Sequence, residues 1–124
     1  MYAVMYDLDI SNNLFTKCLS LATQSLRHHE QEKAYYEIIE AMRIFPDSPQ
    51  PHNLLGIWFE INGDDIMARR HYRAAYSLDP TFKPACKNIE RICTFENPEP
   101  FAYDFGDESE EQEKLLLENN TEKP

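Results

Sequence analysis

Glycine is the first scarcity: the chain has 3 in 124 residues, at positions 56, 63 and 106. All-β folds and phosphate-binding loops use glycine freely where the backbone must turn or approach a ligand. So thin and scattered a supply excludes a phosphate cradle and leans the chain toward helices. Cysteine is nearly as scarce, and Cys18, Cys86 and Cys93 form no Cys-x-x-Cys pair. An odd count with no ligand-like spacing reads as core thiols of a reduced protein. No apolar run approaches the roughly 20 residues that span a bilayer. Met1–Ile10 holds two aspartates and no basic stretch, so no secretory signal is expected. Basic residues are few, 12 Lys and Arg against 22 Asp and Glu, for a net charge of −10. A nucleic-acid binder needs a clustered basic face. A cytoplasmic protein is expected, with neither nucleic acid nor membrane among its partners.

What is present is enough for a packed body. Hydrophobic residues make up 42% of the chain and aromatics 12%, against full disorder. Charge is uneven: residues 1–98 hold 10 basic and 13 acidic side chains, residues 99–124 hold 2 and 9. A nearly balanced body therefore carries an acidic tail.

The body is organised by a repeat. Pro46 and Pro80 lie 34 residues apart and close similar phrases, Ala41-Met-Arg-Ile-Phe-Pro46 and Ala75-Tyr-Ser-Leu-Asp-Pro80. At the same offset Leu21 aligns with Leu55, Ala22 with Gly56, Ser25 with Phe59, Ala34 with Ala68, and Ile38 with Tyr72. Apolar residues in Leu54–Ile61 and Met67–Leu78 recur three and four apart, the helical period. Gly56, Ala68 and Ala75 mark where two helices of a hairpin approach closely. Gly63 can take the left-handed conformation that ends a helix, and Asp64 or Asp65 can cap the next. Ser48 before Pro49 reads as an N-cap followed by proline at the first helical position, and Thr81 as a cap for a third unit. His28–Glu32 is the corresponding turn of the first copy. Helices are expected near 13–28, 31–45, 49–62, 64–78 and 82–96.

This pattern resembles the tetratricopeptide repeat family. The second copy, about residues 49–82, carries Leu55-Gly56, Phe59, Ala68, Tyr72, Ala75 and Pro80 at the family's spacing, with His52 where an aromatic is usual. The first, about 15–48, keeps Leu21-Ala22, Ala34, Ala41 and Pro46, and a partial third spans 83–97 with Cys86, Ile89 and Cys93. The resemblance implies an all-α fold, a short right-handed α-solenoid of two repeats plus a capping helix, with a concave groove. Residues 1–12 form an N-terminal extension, 13–97 the repeat domain, and 98–124 an acidic, partly disordered tail.

The ends follow other patterns. Tyr2, Val4, Tyr6, Leu8 and Ile10 alternate with Ala3, Met5, Asp7 and Asp9, the period of a strand. Met5, Leu8 and Asp9 also fit an added helical turn. This segment is expected either to cover the first helix pair or to pair with a second copy as a homodimer. Residues 97–106 combine Pro98, Pro100 and Gly106 with Phe101, Tyr103 and Phe105, an extended aromatic linker. Beyond it, Ser109-Glu-Glu-Gln112 resembles a capping box before Leu115-Leu-Leu117.

No catalytic constellation emerges. His28, His29, His52 and His71 lack ligand spacing, and Asp64-Asp65 is explained by capping. Arg69, Arg70 and Arg73 read as a solvated face, supported by Asp65 four residues before Arg69. The chain is therefore expected to be no enzyme and to need no cofactor or metal. The family resemblance implies a protein–protein interaction module whose inward first-helix side chains meet a peptide. Carried over, these are Thr16, Leu19, Thr23, Leu26 and Arg27, then Gln50, Asn53, Ile57, Glu60 and Ile61, then Lys87, Arg91 and Phe95. Leu19, Leu26, Ile57 and Ile61 would give apolar contacts, and Asn53, Lys87 and Arg91 polar anchors. The family's carboxylate clamp is incomplete, because its Lys and Asn places hold Leu19 and Thr23. The alternative is a structural subunit whose groove is filled by its own termini. The acidic stretch from Asp107 with Leu115–Leu117 is one candidate occupant, and an unstructured solubilising tail is the other reading of it.

Overall fold

A computed structural model describes residues 2–94 and 102–107, with the side chains of 2–7 left undescribed. Five helices follow in chain order: α1 Tyr2–Arg27, α2 Gln31–Ile44, α3 Pro49–Ile61, α4 Asp65–Leu78 and α5 Lys83–Cys93. No strand occurs among the described residues, whose regular structure is all α-helical. α1 packs on α2, α3 on α4, and each hairpin on the next helix, while α1 also touches α3.

The 34-residue offset is written into the backbone. Glu30 N–H donates to Ser25 O and His29 N–H to Leu26 O; Asp64 N–H donates to Phe59 O and Gly63 N–H to Glu60 O. These two helix ends close with one pattern, five-residue and three-residue bonds around a left-handed residue. Gly63 takes φ +82° there, and His29, its counterpart, φ +60°. The second helices end alike, Phe45 N–H on Ala41 O and Asp79 N–H on Ala75 O.

The core comprises Ala22, Leu26, Ala34, Ile38, Leu54, Leu55, Ile57, Ala68 and Tyr72. Size is traded between the copies. A Cβ built on Gly56 would lie 2.5 Å from Tyr72 Cδ1, whereas at the same register positions the first copy has Ala22 and the smaller Ile38. Full burial of each large apolar side chain contributes roughly 1.5–3 kcal/mol. Ala68 and Ala75 have no exposed surface, as close-approach positions require. Leu55 is buried, whereas its counterpart Leu21 is exposed.

Several sequence expectations need correction. Of the two readings left open for Tyr2–Ile10, the strand falls and the helical one holds, since the segment is the opening of α1. A lone strand leaves its backbone groups unpaired, whereas a helix satisfies them internally. Leu8 and Ile10 are exposed and so do not cover the first hairpin. Thr81 does not cap α5: its N–H and hydroxyl both donate to the Asp79 carboxylate, and Phe82 occupies the cap position. Asp64 does cap α4, accepting from Met67 N–H at 3.1 Å. Ser48 holds the cap position of α3 without a side-chain bond. The cysteines are not fully core: Cys18 and Cys86 are half-buried and Cys93 exposed. Burial, then the charges of Glu40 and Glu37, push the Cys18 thiol up. Arg69 is half-buried and reaches Ile92 O at 3.5 Å, tying α4 to α5. Phe95 and the 109–117 stretch lie outside the described residues.

Candidate functional site

α1, α3 and α5 turn one side to residues 102–107, which lie across all three. Contacts fix the direction. Tyr103 sits beneath the Arg91 guanidinium, 4.9 Å from its ring centroid. Asp104 meets Asn88 and Asn53, and Gly106 faces Phe82 and Pro84 at the start of α5. The segment therefore runs antiparallel to α5.

Its centre is the main-chain N–H and C=O of one residue, Asp104, held by two carboxamides. Asn88 Oδ1 accepts from Asp104 N–H at 2.9 Å, and Asn88 Nδ2 donates to Asp104 O at 2.9 Å. Asn53 Nδ2 donates to the same carbonyl at 2.9 Å, and Asn88 Nδ2 also donates to Asn53 Oδ1 at 2.8 Å. Both asparagines have 0% exposure. A buried amide is costly unless bonded, and here the pair is satisfied through main-chain atoms. Such contacts hold an extended chain whatever its side chains.

Side chains add discrimination around that clamp. Lys87 Nζ lies 3.6 Å from the Asp104 carboxylate. Arg27 covers the Phe105 ring at 4.7 Å and pairs with Asp107 at 2.9 Å. The same Arg91 guanidinium that covers Tyr103 pairs with Glu60, and the Tyr72 hydroxyl donates to Glu60 Oε1 at 2.6 Å. Burial is the largest single influence and opposes the Arg91 charge, but the Glu60 bond and charge, with Tyr72 and Tyr103, together outweigh it and hold the pKa above its ordinary value. Burial, with the Glu60 charge behind it, pushes both the Tyr72 and Tyr103 hydroxyls up, so they stay protonated.

The inward positions named from the sequence divide by depth. Arg27, Asn53, Lys87 and Arg91 touch the segment directly. Leu26, Glu60 and Ile61 line a cleft of about 620 Å³ against Tyr103 and Phe105. Thr16, Leu19, Thr23 and Gln50 line a neighbouring one of about 350 Å³ beside Gly106 and Asp107. The Thr23 hydroxyl is already bonded to Leu19 O. Ile57 has no exposed surface and belongs to the core beneath the groove, so it gives no apolar contact there.

Asn88 was missed by sequence reasoning. The repeat register pairs Asn53 with Lys87, and Asn88 stands one position further on. Its signal was a polar residue inside the apolar stripe of Ala85 and Ile92. The docked aromatic segment was missed as well, because prolines and isolated aromatics read as a linker.

The histidines gather elsewhere. His52 Nδ1 and His71 Nδ1 are 3.3 Å apart on the α3–α4 hairpin, and His71 stacks on Phe59 with centroids 5.3 Å apart. Burial lowers both pKa values, and for His71 the His52 charge lowers it further. No helix among the described residues is long and apolar enough to cross a membrane. No protein-family model, curated protein or solved structure matches the chain.

Proposed function

We propose that the chain is a non-catalytic protein–protein interaction module of tetratricopeptide-like repeats, capturing an extended peptide segment in its concave groove. The observation that carries this reading is the Asn88–Asp104 pair, in which one side-chain amide bonds both the N–H and the C=O of a single residue. Main-chain recognition of this kind suits capture of an extended segment, with pockets alongside for selectivity. The recurrence of helix-end bonds at the 34-residue offset supports the repeat reading.

A second reading draws support from the same segment. α5 has no partner helix after it among the described residues, and 102–107 cover its open side. On that reading the groove is filled by the chain itself, and the protein serves as a structural subunit. Full-length chain carrying Tyr103→Ala with Phe105→Ala separates the two. The interaction module keeps its helical circular dichroism and a cooperative melt, and phage-displayed peptides selected on it bind in an Asn88-dependent manner. A collapsed melt favours the structural subunit, and a folded variant that selects no Asn88-dependent peptide refutes peptide capture.

A further inference from the structure

We infer that the groove reads a five-residue linear motif in a partner protein, aromatic–Asp–aromatic–Gly–acidic, and that Tyr103–Asp107 is the chain's internal copy of it. The inference rests on the peptide-capture reading and adds the chemistry of the ligand.

Each position of the motif meets a distinct demand. The first ring lies under the Arg91 guanidinium, where a delocalised cation attracts an aromatic face and an aliphatic side chain forfeits that attraction. The second residue presents its N–H to Asn88 and its C=O to Asn88 and Asn53. Its carboxylate serves twice, with one oxygen 3.6 Å from Lys87 and the other accepting Gly106 N–H at 3.0 Å. That second bond folds the chain locally, and of the carboxylates only aspartate is short enough to make it comfortably. The third ring stacks under Arg27.

The fourth position favours glycine through its backbone: Gly106 takes φ +79°, which L side chains rarely adopt. An added Cβ would also lie 3.2 Å from Phe82 Cζ, so that ring would have to shift by a few tenths of an ångström. The fifth is an acid because Arg27 reaches it at 2.9 Å. Three cations on two helices thus face a segment bearing two carboxylates, in a protein whose net charge is −10. Local charge complementarity runs against the overall balance, as expected of a surface shaped to a ligand.

A tethered copy acts at an effective concentration in the millimolar range, so a partner peptide must displace it to enter. The probe is the capped, fluorescein-labelled hexapeptide Ala-Tyr-Asp-Phe-Gly-Asp, titrated by anisotropy into full-length chain. The groove is opened in two ways, by Tyr103→Ala with Phe105→Ala and, in case that pair weakens the fold, by Asp104→Pro, which deletes the N–H that Asn88 accepts. Saturable binding to an opened chain is expected, at least about tenfold weaker for the natural chain. Arg27→Ala in the opened background should weaken it roughly three- to tenfold.

The failures differ. A scrambled hexapeptide that binds equally well, with binding still lost on Asn88→Ala, overturns the motif while leaving peptide capture standing. If neither peptide moves the Asn53 and Asn88 side-chain amide signals in NMR spectra of an opened chain, motif and capture both fall. Equal affinity of natural and opened chains overturns the role of 103–107 as the copy to be displaced. Natural chain that dimerises through 103–107, with dimers lost on Tyr103→Ala and Phe105→Ala, makes a second copy the occupant and overturns the partner motif.

Discussion

His29 holds a left-handed backbone, φ +60°, where its repeat counterpart is Gly63. A residue with a Cβ is disfavoured there by roughly 1–2 kcal/mol, and the His29 side chain is exposed. His29→Gly should therefore stabilise the fold by about 0.5–1 kcal/mol, part of the relieved strain being offset by glycine's freedom in the unfolded chain. The measurement is urea unfolding of the substituted chain; lower stability would mean that the His29 ring makes contacts outweighing the strain. A second residue-scale consequence comes from His52 and His71. Both are depressed below the ordinary His value by burial, so the folded state binds their protons less well than the unfolded state. Stability is full above the unfolded pKa of about 6.5 and falls as pH drops from there toward the depressed folded values. The melting temperature should decline between pH 7.5 and 5, and replacing both rings by Gln should flatten that decline. An unchanged slope would assign the pH dependence to other groups.

At the scale of elements, the close approach of α3 and α4 is set by small residues. Ala68 and Ala75 are fully buried, and Gly56 lies against the Tyr72 ring. Ala68→Leu or Ala75→Leu should overpack this interface and cost roughly 1–3 kcal/mol. Glu32→Ala, at an exposed position of α2, should change stability by less than about 0.5 kcal/mol. Equal effects at all three sites would refute the packing register. These small residues are also why α2, α3 and α4 were legible in the sequence to within a residue or so: small and large side chains alternate at helical spacing, and Gly63-Asp64 punctuates them. α1 and α5 were less legible. Period-two alternation in Tyr2–Ile10 describes one side chain after another, but a strand also needs a partner, and the described residues form none. α5 ends at Cys93 rather than near 96, and the Thr94 hydroxyl bonds Glu90 O at its end.

For the whole molecule, half of the groove was visible before its structure was known. Arg27, Asn53, Lys87 and Arg91 follow from projecting one inward face along successive first helices. Ile57 shows the limit of that projection, since a face that points inward also points into the core. The occupant was illegible because an extended segment carries no periodicity of its own and takes its order from Asn53 and Asn88. This bears on how the segment is held. From charge alone, an acidic stretch held by basic side chains should leave as salt rises. Yet two ion pairs among the described residues, Arg27–Asp107 and Lys87–Asp104, each have a partner whose side chain is more than a third exposed. Such pairs contribute about 0–1 kcal/mol each and weaken at high ionic strength. The buried carboxamide clamp and the two rings are not screened in this way. The segment should therefore stay docked between about 0.05 and 1 M NaCl, with at most roughly tenfold more released form if about 1.4 kcal/mol of pairing is lost. Asn88→Ala should release it at every salt concentration, since neither the N–H nor the C=O of Asp104 then keeps its Asn88 partner. Hydrogen exchange at the Asp104 N–H reports both: protection that survives salt but not Asn88→Ala is expected, and protection abolished by salt alone would place the hold in the ion pairs instead.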